Sequence, residues 1–229
     1  MKVSRWKKFL SYFKDVTLES TSSQFNPFLE VLLVNGRHQL VTENAIYSFD
    51  DKYENFNKAF QLIDWKQVKG KKCLVLGLGL GSVILLLEKF FGRSFEYTAV
   101  EIDPEICQLA HKYTLSKLDS FVEVINTDAL LYLEVNETKE NPEQYDLIIM
   151  DVFENALIPE QFQNILYLEI LKSLLLPQGV LLFNRMNKTD QDKFENAKFE
   201  KLFKDKFPNH NQISVKDNII LINDAKYLS

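Results

Sequence analysis

Three glycines at alternate positions, Gly77, Gly79 and Gly81, follow a short apolar run, Leu74, Val75 and Leu76, and precede a helix-like stretch at residues 83–89. The next apolar run, residues 95–100, ends in Glu101. Only residues without a Cβ let a strand-to-helix turn bend this tightly and bring backbone N–H groups against a ligand at a helix N-terminus. A carboxylate at the following strand end can accept both hydrogen bonds of a ribose diol. Strand, glycine turn, helix, strand and terminal acid within about thirty residues predict a nucleoside-binding crossover. A dinucleotide site of the G-x-G-x-x-G kind needs glycine at position 82, where this chain has Ser82. The G-x-G-x-G spacing suits an S-adenosyl sulfonium nucleoside better than NAD, with the turn passing close to the donor's tail. The alternative is that the glycines only permit tight strand–helix packing.

Two further acids fall where such a site needs them. Residues 121–125 read as a strand, followed by Asn126-Thr127-Asp128-Ala129-Leu130, and residues 145–150 form another apolar run ending in Asp151. Ligands of open α/β sheets bind outside the carboxyl ends of the strands, so Glu101, Asp128 and Asp151 are expected around one crevice. Asp128 can accept from an adenine amine, with Ala129 adjoining and Ile102 and Leu130 sandwiching the base. For Asp128 and Asp151 the alternative is a helix N-cap or a solvated loop carboxylate.

These passages together resemble a class I S-adenosylmethionine-dependent transferase, and more narrowly its spermidine synthase branch. The resemblance rests on VLGLGLGSV at the glycine turn, AVEIDPEI around Glu101, NTDALLYL around Asp128 and YDLIIMDVFE through Asp151, with the segment from Leu32 to Leu40 similar to the amino-terminal hairpin of those synthases. It implies that Glu101 holds the ribose, Asp128 the adenine, and Asp151 helps to deprotonate an attacking amine, with Glu154 as the second acid of the acceptor motif. The cofactor implied is S-adenosylmethionine or its decarboxylated form. Aminopropyltransferases carry an acid inside the glycine turn to neutralise the donor's ammonium, and this chain has Leu80 there. Their D-S-x-D-P signature is here Asp151-Val152-Phe153-Glu154-Asn155, which keeps the two acids and loses the proline. Their upstream Tyr-His-Glu triplet is replaced by Tyr47-Ser48-Phe49-Asp50-Asp51. Methyl transfer to a small acceptor is therefore expected first and aminopropyl transfer to a diamine second. A catalytically silent nucleoside-binding or dimerisation protein is a third reading.

The chain has 229 residues, 46% hydrophobic, and a net charge of −5, enough to bury one substantial α/β core without metals or disulfides. The negative balance argues against a nucleic-acid partner. Two cysteines make no disulfide framework, and His38, His111 and His210 have no metal-ligand spacing, so no metal is expected. No apolar run approaches the ~20 residues of a membrane span, and the lysines near the amino terminus do not build a signal peptide, so a cytoplasmic protein without a membrane partner is expected. A homodimer acting on a small-molecule acceptor completes the expectation.

The elements that position these residues are read as follows. Residues 1–65 form an appendage: a helix over 1–15 with an aromatic stripe and basic flank, packed on the domain or on a dimer mate with its lysines solvated, the alternative being a membrane-surface or partner-binding helix; a polar linker over 20–26; a β-hairpin over 28–49 around Asn35-Gly36; and an amphipathic helix over 52–65 carrying Tyr53, Phe56, Phe60 and Ile63. Residues 66–229 form the S-adenosylmethionine-type nucleoside-binding domain, an α/β, doubly wound, mostly parallel sheet with helices on both faces. In it, residues 188–206 read as a surface helix, and 213–215 with 219–222 as a closing antiparallel pair.

Overall fold

The computed structural model describes residues 3–43, 45–154 and 157–229; Asn155, named above, and the first two residues of the helix expected over 1–15 lie outside them. The amino-terminal unit opens with a short helix, α1 (Arg5–Leu10), followed by four strands: β1 (Val16–Thr21), β2 (Leu29–Val34), β3 (Arg37–Thr42) and β4 (Ile46–Phe49). They pair as an antiparallel meander in that order. Asn35 and Gly36 both adopt positive φ, 49° and 77°, the conformation a tight β2–β3 turn requires. The expected hairpin is thus part of a four-stranded sheet. An isolated hairpin is marginal in water, and β1 adds a strand from residues whose mixed polarity reads as a helix end and linker. The expected helix over 1–15 shortens accordingly to α1.

Helix α2 (Glu54–Leu62) turns its apolar side inward, with Phe56, Ala59 and Phe60 fully buried among residues of the large sheet. That sheet holds β5 (Lys72–Leu76), β6 (Glu96–Glu101), β7 (Val122–Asn126), β8 (Tyr145–Met150), β9 (Leu175–Met186), β10 (Asn211–Val215) and β11 (Asn218–Ile222). Their spatial order is β10-β11-β9-β8-β5-β6-β7, parallel from β9 to β7 and antiparallel at β11 and β10. The central strand shows why both faces are covered. Cys73 and Val75 pack into one apolar cluster with α2 and with α3 (Ser82–Leu85), which widens into a π-helical turn over Leu86–Phe90. Leu74 and Leu76 pack into a second cluster with α5 (Ala129–Glu137), α6 (Ile165–Ser173) and α7 (Asp190–Lys206). Helix α4 (Pro104–Tyr113) lies instead beneath the amino-terminal sheet. Helix α7 is more than a surface helix, since Phe199 and Phe203 are buried in the second cluster. Among the described residues no helix is long and apolar enough to cross a membrane.

The two units are tied at several points. Glu19 of β1 accepts from Lys112 and from the Tyr113 hydroxyl, Ser48 and Ser82 share a hydrogen bond of 2.6 Å, and the fully buried Asp103 accepts from Ser23 and from Asn26 at 2.8 Å. Leu80 belongs to this junction. Flanked by Gly79 and Gly81 at φ 53° and 86°, it is fully buried against Leu29, Val31, Leu40, Ile106, Leu109 and Tyr113. The residue expected near the donor's tail is therefore a rivet between the units. Leu80→Asp buries a carboxylate without a partner and is expected to lower unfolding free energy by several kcal/mol, read by urea denaturation. A variant as stable as the parent would place Leu80 at a wet surface instead.

Candidate active site

The strand order reverses beside β5: the chain runs outward through β6 and β7, then returns to place β8 on the other side. A crevice opens at such a switch point, beyond the carboxyl ends of the strands. Here it is bounded by Gly77 after β5 and Asp151 after β8. The Asp151 N–H donates to the Leu76 carbonyl at 2.8 Å, and a Cβ at Gly77 would lie 2.4 Å from the Asp151 carbonyl oxygen. Gly79 is equally constrained, with the Tyr47 carbonyl 2.9 Å from its would-be Cβ. These two glycines line a cavity of about 1080 Å³ together with Glu101, Ile102, Asp128, Ala129, Asp151 and Glu154. Gly81 is not on its wall. It is the N-cap of α3, and its missing side chain leaves room for Leu115.

Glu101 ends β6 and is 9% exposed. One carboxylate oxygen accepts from the Leu78 N–H at 3.0 Å and the other from the Asp103 N–H at 3.1 Å. Burial raises this carboxyl above its ordinary value, while the Asp103, Leu78 and Gly79 N–H groups favour the charged form. The carboxylate keeps acceptor capacity for a ligand hydroxyl. Ile102 beside it is 41% exposed to the cavity, an apolar face suited to a flat base. Asp128 lines the cavity and also caps α5, the role given as the alternative for it, accepting from the Leu131 N–H at 3.0 Å. Leu130 is placed differently from expectation. It packs on the apolar cluster beneath α5 and α6, because α5 begins at Ala129 and its turn carries the next side chain inward.

Asp151 is held from two sides. The Tyr53 hydroxyl donates to one oxygen and the Asn184 amide to the other, each at 2.8 Å, and Asn184 in turn accepts from Asn218 at 3.0 Å. Burial pushes the Asp151 carboxyl up to about 7, against the opposing pull of the Asn184 and Tyr53 hydrogen bonds. Glu154, three residues on, is exposed at the cavity edge and closes a small turn with Leu157 through reciprocal backbone hydrogen bonds of 2.8 and 2.9 Å.

Sequence reasoning missed Tyr53, Asn184 and Asn218. Tyr53 is read from periodicity as a core position, yet it is the tyrosine whose hydroxyl reaches Asp151; Tyr47 also lines the cavity while packing on the cluster under the amino-terminal sheet. Asn184 had a visible signal, an amide directly after the apolar run 180–183 within β9. Asn218, which reads as a turn residue, begins β11. Among the described residues no group of three His, Cys, Asp or Glu side chains is arranged to hold a metal ion.

The site can test the fit of an adenosyl ligand. A carboxylate with free lone pairs at a strand end, two glycines whose side chains would fill the crevice, and an exposed isoleucine beside them match a ribose, a donor tail and a base respectively. Loss of a charged hydrogen-bond partner costs about 1.5–3 kcal/mol, so Glu101→Ala is expected to weaken S-adenosylhomocysteine roughly ten- to a hundredfold in calorimetric titration. Unchanged affinity in a variant confirmed folded by its melting curve would remove Glu101 from the ribose role.

The spermine/spermidine synthase domain model matches residues 61–219. The chain is 31% identical over 135 residues to a polyamine aminopropyltransferase of Vibrio vulnificus, covering 59% of this chain and 44% of that protein. It is 32% identical over 117 residues to an eEF1A lysine and N-terminal methyltransferase of Bos taurus, covering 48% of this chain and 17% of that protein. The chain thus spans less than half the length of these curated relatives. Among solved structures, human methyltransferase-like protein 13 in complex with SAH superposes with a TM-score of 0.62 at 24% identity, covering 76% of this chain and 83% of that one. Spermidine synthase from Thermotoga maritima superposes with a TM-score of 0.63 at 14% identity, covering 90% and 71%. These likenesses carry the same α/β fold in both. With its family model matched over most of its length, the chain belongs to the spermine/spermidine synthase domain family.

Proposed function

We propose that this chain is an S-adenosylmethionine-dependent transferase that alkylates a small acceptor, with methyl transfer as the reaction. The observation that carries the reading is Asp151: a carboxylate at the crevice mouth, poised near neutrality and oriented by Tyr53 and Asn184. When bound, the donor supplies an alkyl group on a positively charged sulfur and leaves as a neutral thioether. The protein's part is to hold the two reactants in line and to take a proton. Glu101 is assigned the ribose, Asp128 the adenine amine, Ile102 and Ala129 the base, and the Gly77–Gly79 backbone the tail. An acceptor N–H or O–H facing Asp151 loses its proton to that carboxylate as the new bond to carbon forms. Oriented approach lowers the barrier by about 7–11 kcal/mol, and a positioned base adds ~10²–10⁴ in rate.

Methyl transfer ranks ahead of aminopropyl transfer because the glycine turn offers no carboxylate for an ammonium, Leu80 being buried between the two units. Aminopropyl transfer to a diamine is the second reading. It is favoured by the retained pair of acids, Asp151 and Glu154, both on the cavity wall. The nucleoside product separates them: incubation with each donor and a diamine yields S-adenosylhomocysteine in the first case and methylthioadenosine in the second, resolved by chromatography. The free thiols of Cys73 and Cys107 are in keeping with a reducing, cytoplasmic setting.

Asp151→Asn is expected to keep donor affinity within a few-fold and to lose ~10²-fold or more of turnover. The parent's turnover should rise with pH through a midpoint near 7, where Asp151 loses its proton. Stability runs the other way. A carboxyl raised from 3.8 to about 7 in the folded state contributes stability that is present at low pH and lost as pH rises through that window. The melting temperature of Asp151→Asn relative to the parent should therefore climb as pH rises from 3.8 to about 7 and level off above it. Undiminished turnover in this variant would take Asp151 out of the reaction.

A further inference from the structure

The exposed aromatic side chains at the amino terminus are not used by the site. Trp6, Phe9, Tyr12 and Phe13 are 69%, 56%, 56% and 74% exposed. Trp6, Phe9 and Phe13 form a row, with ring centroids 6.0 Å apart for Trp6 and Phe9 and 5.2 Å for Phe9 and Phe13, while the Tyr12 hydroxyl reaches back over Gly36. Arg5, Lys7, Lys8 and Lys14 flank the row, and Asp15 is the one acid between residues 3 and 15. Of the two packings expected for this helix, on the domain or on a dimer mate, the first is corrected here: its stripe faces away from the domain. Ser11, 2% exposed, is the seat instead: its carbonyl accepts from the Asn35 N–H at 2.8 Å and its hydroxyl from the Gly36 N–H at 2.9 Å. Seated through Ser11 on the β2–β3 turn, α1 presents its aromatic side chains outward. The same turn contributes Asn35 and Arg37 to the cavity wall.

We propose that this face docks on an anionic lipid bilayer. Aromatic rings borne on a short helix beside lysines and arginine match the interfacial level of a membrane, where rings enter the headgroup boundary and cations meet lipid phosphates. The complementarity is local, because the whole chain carries a net charge of −5 and this segment runs against it. A second copy of the chain fits poorly. A two-fold contact through this patch sets four cations against the same four. Binding of this kind is reversible and salt-sensitive, since a single short amphipathic segment is a weak anchor.

The test is co-sedimentation of the intact chain with vesicles of phosphatidylcholine alone and of phosphatidylcholine mixed equally with phosphatidylglycerol. The expected result is binding to the mixed vesicles only, weakened by salt. Each cation near such a surface is worth about fivefold in affinity, so Lys7→Glu with Lys8→Glu should weaken binding more than tenfold. Trp6→Ser with Phe13→Ser should abolish it, with an unchanged melting temperature because both rings are exposed. In a Trp65→Phe background, where Trp6 is the remaining tryptophan, emission should shift to the blue on mixed vesicles and stay unshifted with polyglutamate. Failure to sediment with anionic vesicles at low salt overturns the proposal, as does binding that survives these substitutions. So does a concentration-dependent dimer lost in the same variants without vesicle binding, which would put a second copy on this face.

Discussion

The close approach of β5 and β8 at their carboxyl ends is the constraint on which the rest of the site depends. Gly77 can lie against the Asp151 backbone because it has no side chain, and the Asp151 N–H closes the gap by bonding to Leu76. Any Cβ at Gly77 would push the two strand ends apart, and its φ of 86° already disfavours one. The crevice therefore exists only while that contact holds. On one side it leads to Glu101 and on the other to Asp151, both on the wall of one cavity.

The amino-terminal unit completes this crevice. Tyr53 enters from the segment that links the small sheet to α2 and occupies one oxygen of Asp151, while Asn184 from β9 occupies the other. Both partners donate, so both favour the charged form that burial opposes. The balance leaves the carboxyl near neutrality instead of in the ordinary acid range. The β1–β2 loop is drawn over the opposite end, where buried Asp103 gathers Ser23 and Asn26 and also caps α4. Its own N–H reaches Glu101, so the residue that fastens the small unit also helps to orient the carboxylate that ends β6.

Aminopropyl and methyl transfer share this scaffold because both need a held sulfonium donor and a nearby proton acceptor. They differ at the donor's tail, where aminopropyl transfer requires a charge partner for an ammonium. In this chain the turn position that resembles that partner is given to packing between the two units. A side chain buried there as an apolar rivet leaves that position no charge to offer. The relatives divide in the same way, one named as an aminopropyltransferase and another as a methyltransferase, at nearly equal identity.

Much of the fold was legible because it is written in local periodicity and turn chemistry. The buried strands β5, β6 and β8, the Asn35-Gly36 turn and the β10–β11 pair follow from short-range patterns that tertiary contacts leave intact. Glu101 and Asp151 were legible for a related reason: a strand end in an open parallel sheet faces the crevice wherever the chain goes next. The facing of Leu80, Leu130 and Gly81 was decided by the tertiary structure, because backbone turns aim neighbouring side chains in opposite directions and spacing alone carries no direction. Tyr53, Asn184 and Asn218 meet Asp151 from positions 98, 33 and 67 residues away in sequence, Asn218 through Asn184. Their meeting is a property of the sheet order. The sequence by itself determined the layers and the acids at their edges; which partners surround those acids, and hence how strongly each holds its proton, was settled by packing.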